Sequence, residues 1–192
     1  SVLEHPQSIT YRDYGTAAIA PMCQSFAALP ARNFSRGTFD QMENISGDAL
    51  RAFTLERGKP SEASHACMAG CTIKCSNVFG GEDGRIIVSP LEYETIGLMG
   101  VNLEIGSLDS IGRLNWQVND LGLDSIEIGA ALGVVGSRKR WRVTLPQLDG
   151  RDGRSLRRLL AIGALLVASC NNNGGGGDRA EIYLQRFFGE CG

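Results

Sequence analysis

The stretch Cys67-Met-Ala-Gly-Cys71-Thr-Ile-Lys-Cys75 places three thiols within nine residues, with His65 just ahead of them. It takes half of the chain's six cysteines and constrains the local fold more than any other feature. A spacing of i, i+4, i+8 also describes one face of a helix. Gly70, Thr72 and Ile73 are poor helix formers in the middle of it, however, so a thiol-bearing loop is the expectation. Three thiolates suit a 4Fe-4S cluster or a structural zinc, because sulfur is the ligand both prefer. Buried structural thiols and disulfides are the competing uses of such a run. A cubane needs a fourth ligand, which Cys23, Cys170, Cys191, a non-cysteine group or another chain would have to supply.

A chain of 192 residues, 43% hydrophobic, can bury one sizeable core with an appendage. The longest apolar run, Leu159 to Ala168, is too short for a bilayer and is interrupted by Gly163. The first residues, Ser-Val-Leu-Glu-His-Pro, have neither the basic nor the apolar region of a secretion signal. The expectation is a soluble, cytoplasmic protein without a membrane partner, and a reducing compartment favours metal over disulfide at the cysteines. The net charge of −2 hides a split. Residues 1–135 carry 9 Lys+Arg against 16 Asp+Glu, while residues 136–192 carry 10 against 5. That basic run, Ser137-Arg-Lys-Arg-Trp-Arg-Val-Thr144, holds a single aromatic, Trp141, and no recognised binding module, so nucleic acid is not expected as a partner.

Taken in order, residues 1–45 are punctuated by Pro21 and Pro30 and read as short helices and turns. Ser46 is an N-cap for a helix over Gly47 to Arg57 that Gly58 closes, with Leu50, Phe53 and Leu55 as its core contacts. Arg85 to Ser89 reads as a short strand, and Leu91 to Met99 as a helix with Pro90 at its start and Gly100 at its end. Ser107 to Leu121 is the clearest helix, capped by Ser107, with Leu108, Ile111, Leu114 and Val118 on its apolar face and Asp109 near its positive end. Ser125 to Val135 follows as a closely packed, Ala- and Gly-rich helix. The fold class expected is mainly α, a multihelical domain with at most a short strand or hairpin.

Two further groups bear chemistry. Glu92 and Glu94 stand in the first turn of a helix, where carboxylates ordinarily complement the dipole and can also serve as acid or base. Asn119-Asp120-Leu121-Gly122-Leu123-Asp124 is a helix end followed by an N-cap, and also a tight loop able to hydrogen-bond a polar ligand.

Tyr14-Gly-Thr16, Leu29-Pro-Ala-Arg-Asn33-Phe34, the cysteine run, Glu92-Tyr-Glu-Thr95 and Asn119-Asp-Leu-Gly-Leu-Asp124-Ser-Ile-Glu-Ile-Gly129 stand in one order. In that order and spacing they resemble the tungsten-containing aldehyde:ferredoxin oxidoreductases, over residues 10–135. The resemblance implies a family in which a β-sheet domain holds most of a tungsten bis-pterin and two helical domains follow. This chain looks like the first of those helical domains. By that likeness Cys67, Cys71 and Cys75 are three ligands of a 4Fe-4S cluster lying between the pterin and a ferredoxin partner. Asn119, Asp120, Gly122, Leu123 and Asp124 fall on the first pterin-contacting D-x-x-G-L-D/C motif, and Glu92 or Glu94 matches a glutamate placed near the metal as a candidate acid/base, the substrate being a small aldehyde.

Departures from the family pattern are specific. Three residues separate Cys67 from Cys71 where the family has two, and Asn119 stands for the motif's aspartate. Arg113 and Trp116 occupy the place of an E-x-x-H metal bridge, which is therefore not expected. The pterin-bearing domain and the second D-x-x-G-L-C motif, source of the fourth cluster ligand, are not found. The expected organisation is a family-like helical domain over residues 1–135. Beyond it lies an atypical basic and Gly/Asn-rich segment over 136–192, of the kind a truncated or frameshifted reading frame produces. Three uses follow: a fragment or relative of the aldehyde-oxidising enzyme, a non-catalytic iron-sulfur subunit serving a separate pterin-binding subunit, or a structural zinc module built on His65 and the three cysteines.

Overall fold

The computed structural model describes residues 1–138. The segment 139–192, with its basic run, its Gly/Asn-rich stretch and Cys170 and Cys191, lies outside the described residues.

Short helices occupy the first third of the chain, as its proline punctuation requires. α1 (Pro6–Tyr14) starts on a proline, where the missing N–H costs least, and stops at Gly15, whose φ of 66° continues no helix. A 3-10 turn (Thr16–Ile19), α2 (Ala20–Ser25) and α3 (Ala31–Phe34) follow. α3 is a single turn of unusual hand, with φ positive at Arg32, Asn33 and Phe34. Left-handed backbone is unfavourable for residues with a Cβ, and tertiary bonds hold it here. Asn33 N donates to Asn102 Oδ1 at 2.6 Å, and Arg32 pairs with Glu104 at 2.6 Å.

α4 (Gly47–Arg57) has the expected bounds; Ser46 Oγ accepts from Ala49 N at 3.2 Å, and Gly58 at φ 61° ends it. Leu50 and Thr54, four residues apart, form its buried face and Phe53 packs beside them. Leu55 is a correction: one residue past Thr54, it is turned about 100° around the helix and stands 63% exposed.

Three antiparallel strands in the order β1-β2-β3 complete the middle of the chain: β1 (Glu62–His65), β2 (Ser76–Gly80) and β3 (Ile86–Val88). The sheet is thus one strand larger than a hairpin. β2 is buried along its whole length, packed between its neighbours and the helices.

The helix expected from Leu91 starts late. Asn77 Oδ1 accepts from Leu91 N at 3.0 Å while Asn77 Nδ2 donates to Leu91 O at 2.8 Å, so a side chain from β2 holds Leu91 out of the helix. α5 (Tyr93–Thr95) begins after Glu92 and passes into a π-helical turn (Ile96–Gly100) and a 3-10 turn (Val101–Leu103). α6 (Leu108–Asp120) is capped by Ser107 Oγ, which accepts from Ser110 N at 3.4 Å, and buries Leu108, Ile111, Leu114 and Val118 as its periodicity requires. α7 (Ser125–Arg138) closes the described part, running past the expected end at Val135.

One core joins these elements: Ile45, Phe79, Leu91, Ile96, Met99, Ile111, Leu114, Val118 and Ile128 are fully or almost fully buried in it. Among the described residues no helix is long and apolar enough to cross a membrane.

Candidate redox site

The cysteine run is the connection from β1 to β2. His65 pairs with Ser76 across the two strands, so residues 66–75 form a loop closed at its base. The non-helical reading of this stretch holds, and Gly70 (φ 78°) and Lys74 (φ 56°) supply its tight turns. Cys67 is exposed, while Cys71 and Cys75 are half-buried.

Backbone geometry makes the three thiols unequal. N–H groups of Lys74 and Ile73 hydrogen-bond the Cys71 sulfur and hold its thiol below the usual cysteine range. Burial pushes the Cys75 thiol up, and the neighbouring Glu92 carboxylate pushes it further. Cys67 and Cys71 add to that push, which places all three sulfurs within one electrostatic neighbourhood. Among the described residues no three His, Cys, Asp or Glu side chains are gathered closely enough to hold a metal ion. In kind, however, the donors fit an iron-sulfur cluster: three thiols on one loop, with amide donors lowering the pKa of one of them. Cys23, the fourth described cysteine, packs elsewhere, against the core beside Tyr93.

Glu92 and Glu94 part company. Glu92 faces the cysteine loop: its Oε2 accepts from Thr16 Oγ1 at 2.5 Å and its Oε1 from Ser76 Oγ at 3.2 Å. Glu94 is exposed. Tyr93, between them, has its phenol pushed up by burial and by a hydrogen bond with Cys23. His65 is already engaged, its Nδ1 lying 3.0 Å from Glu62 Oε2, and Lys59 and His65 together hold the Glu62 carboxyl below its usual range.

The segment from Asn119 to Asp124 links α6 to α7 at the surface. Gly122 at φ 68° turns the chain, Gly122 N donating to Asn119 O at 3.0 Å and Leu123 N to Val118 O at 3.0 Å. Asp124 Oδ1 caps α7, accepting from Ile126 N at 2.7 Å and Glu127 N at 3.2 Å. Asn119, Asp120 and Gly122 are exposed, and Leu123 rests half-buried on the core. α5 bridges this loop to the cysteines: Glu92 precedes it on the thiol side, and Thr95 at its far end meets Ser125 Oγ at 2.9 Å.

A cysteine loop, a carboxylate aimed at it and a helix-junction loop at the other end of the same short helix form one constellation. The sequence profile of aldehyde ferredoxin oxidoreductase, domains 2 & 3, matches residues 1–137. The chain belongs to the aldehyde ferredoxin oxidoreductase family. It is 35% identical over 120 residues to the tungsten-containing aldehyde ferredoxin oxidoreductase of Thermococcus kodakarensis, covering 62% of this chain and 18% of that one. The protein of the same name from Pyrococcus furiosus is 33% identical over 120 residues, with the same coverage. That from Pyrococcus abyssi is 34% identical over 124 residues. The chain thus spans about a fifth of the length of the oxidoreductases it matches.

Thr16 and Ser76 are the site residues that sequence reading left without a role. Thr16 stood inside a family-like motif, a signal of position only, and Ser76 carried no signal beyond following Cys75.

Proposed function

We propose that this chain is the cluster-holding helical part of an aldehyde-oxidising enzyme, with Cys67, Cys71 and Cys75 as ligands of a 4Fe-4S cluster and Glu92 as its acid/base. The observation that carries the reading is the placement of three thiols on one loop beside the clamped Glu92 carboxylate. When bound, a tungsten bis-pterin would supply two-electron oxidation of an aldehyde to a carboxylate, and a cluster held by the three cysteines would supply one-electron transfer toward ferredoxin.

The chain's own residues do the rest. Amide donors at Cys71 favour the thiolate that binds iron. Glu92 gives or takes a proton at a carboxylate oxygen held in one orientation. Asn119, Asp120 and Gly122 offer exposed polar groups to a pterin, whereas Asp124 spends one oxygen on capping α7. Glu94, exposed and with no hydroxyl clamp like that on Glu92, has no part in the reading. The pterin, the aldehyde pocket and the fourth cluster ligand fall to other parts of a longer protein or to a separate pterin-binding subunit, since the match spans 18% of the relatives.

Iron, sulfide and tungsten analysis of anaerobically purified protein, with visible spectra before and after dithionite, tests this. The expected result is about four irons and four sulfides per chain with bleaching on reduction. Stoichiometric zinc without iron would replace the reading with a zinc module. In such a module His65 would bind through Nε2, since its Nδ1 lies against Glu62.

A further inference from the structure

Thr16 Oγ1 lies 2.5 Å from Glu92 Oε2 and 2.9 Å from Tyr93 N. A backbone amide only donates, so the Tyr93 N–H occupies a lone pair of the Thr16 oxygen and leaves its one hydroxyl hydrogen for Glu92. The direction of the Thr16–Glu92 hydrogen bond is thereby set by the backbone. Ser76, 2% exposed, donates to the other carboxylate oxygen at 3.2 Å. These hydroxyls stand 76 and 16 residues from Glu92 in sequence, so the orientation of the carboxylate is imposed by the fold and not by its own helix.

Gly15 brings Thr16 into reach. At φ 66° it turns the chain out of α1, and a Cβ there would meet the Cys75 carbonyl oxygen at 3.0 Å. One turn therefore rests on the backbone of the cysteine loop and grips the carboxylate that faces it.

We propose that Thr16 is the positioning residue for Glu92, with Ser76 as the second arm of the clamp, holding the carboxylate beside Cys75. The proposal rests on the reading of Glu92 as the acid/base. Thr16 acts through Glu92 and not on substrate. Valine copies its shape, removes the donor and takes away the acceptor of the Tyr93 N–H, while serine keeps both functions.

The test uses the assembled holoenzyme, this chain together with its pterin-bearing part or subunit, as Thr16→Val, Thr16→Ser and Glu92→Gln. It reads aldehyde-dependent viologen reduction together with isotope-edited infrared spectra of glutamate carboxylates. Thr16→Val is expected to lower kcat about tenfold to a hundredfold, as a slightly misplaced catalytic group does, with KM within about twofold. It should also shift the carboxylate band that disappears in Glu92→Gln, and Thr16→Ser should restore both. An inactive Glu92→Gln beside a Thr16→Val of parental kcat and unshifted band overturns the proposal and leaves the acid/base reading standing. A Glu92→Gln of parental kcat overturns both. Should Thr16→Val not fold, Ser76→Ala tests the clamp from its other arm: a shifted band with a severalfold lower kcat supports it, and an unchanged band overturns it.

Discussion

Arg57, at the end of α4, is the most enclosed partner of the described ion pairs. Its side chain is 6% exposed, forms a two-pronged pair with Asp109 at 2.8 Å on each side, donates to Gly80 O at 2.8 Å, and lies over the rings of Phe53 and Phe79. The bond to Asp109 pushes the guanidinium further up from its usual range, against the opposing effect of burial. Removing the carboxylate would leave a buried cation without a counter-charge, so Asp109→Ala is expected to cost about 3 kcal/mol, read as a lower urea midpoint. At the cysteine loop, amide donors lower the Cys71 thiol while burial and Glu92 raise Cys75. Metal-free protein treated with iodoacetamide near neutral pH is therefore expected to alkylate at Cys71 before Cys75, by peptide mass spectrometry. The gap should close as rising pH ionises both, since the thiolate is the nucleophile.

At the scale of the elements, α7 lies close against its neighbours. A Cβ on Gly129 would meet the backbone of Leu98 at 2.7 Å, and one on Gly133 would meet Asn102 Nδ2 at 2.3 Å. These glycines let α7 lie directly on the turns that follow α5, where the fully buried Asn102 donates to Gly129 O at 3.0 Å and accepts from Asn33 N. Gly129→Ala gains helix propensity of about 1 kcal/mol but forces backbone apart, at a cost of about 1–3 kcal/mol. The net expectation is a lower melting temperature, and a raised one would show that α7 can slide on its seat. Since α5 and α7 meet at the Thr95–Ser125 hydroxyl pair, a shift of α7 would also move the loop from Asn119 to Asp124 relative to Glu92.

At the scale of the molecule, the described part carries the thiols and the carboxylate on one core, and its surface bears large apolar groups. Phe26 is 75%, Phe34 and Met68 69%, and Trp116 52% exposed. The match to relatives covers 18% of their length, so aldehyde oxidation is a property sought in a larger whole. The purified 192-residue chain is expected to reduce no viologen with aldehyde even when its iron bleaches with dithionite. Turnover by the chain alone would show that its own residues suffice to hold the pterin.

Sequence by itself determined the helical class, the bounds of α4, the caps and buried face of α6 and the family, because these follow from local rules: a serine before a helix, a glycine after it, an apolar residue at each turn. It also marked the cysteine loop, since three thiols in nine residues have few uses. Tertiary structure alone decided which glutamate faces the thiols. Glu92 and Glu94 are two residues apart and alike in sequence, and the distinction comes from Thr16 and Ser76, brought in from distant segments. The late start of α5 was likewise hidden, for the Asn77 side chain that holds Leu91 extended lies 14 residues away. So was the left-handed turn at Arg32 to Phe34, which only Asn33 of the three adopts readily and which Asn102 and Glu104 hold in place. Local propensity is written residue by residue, whereas a hydrogen bond across the fold exists only once the core has placed its two ends together.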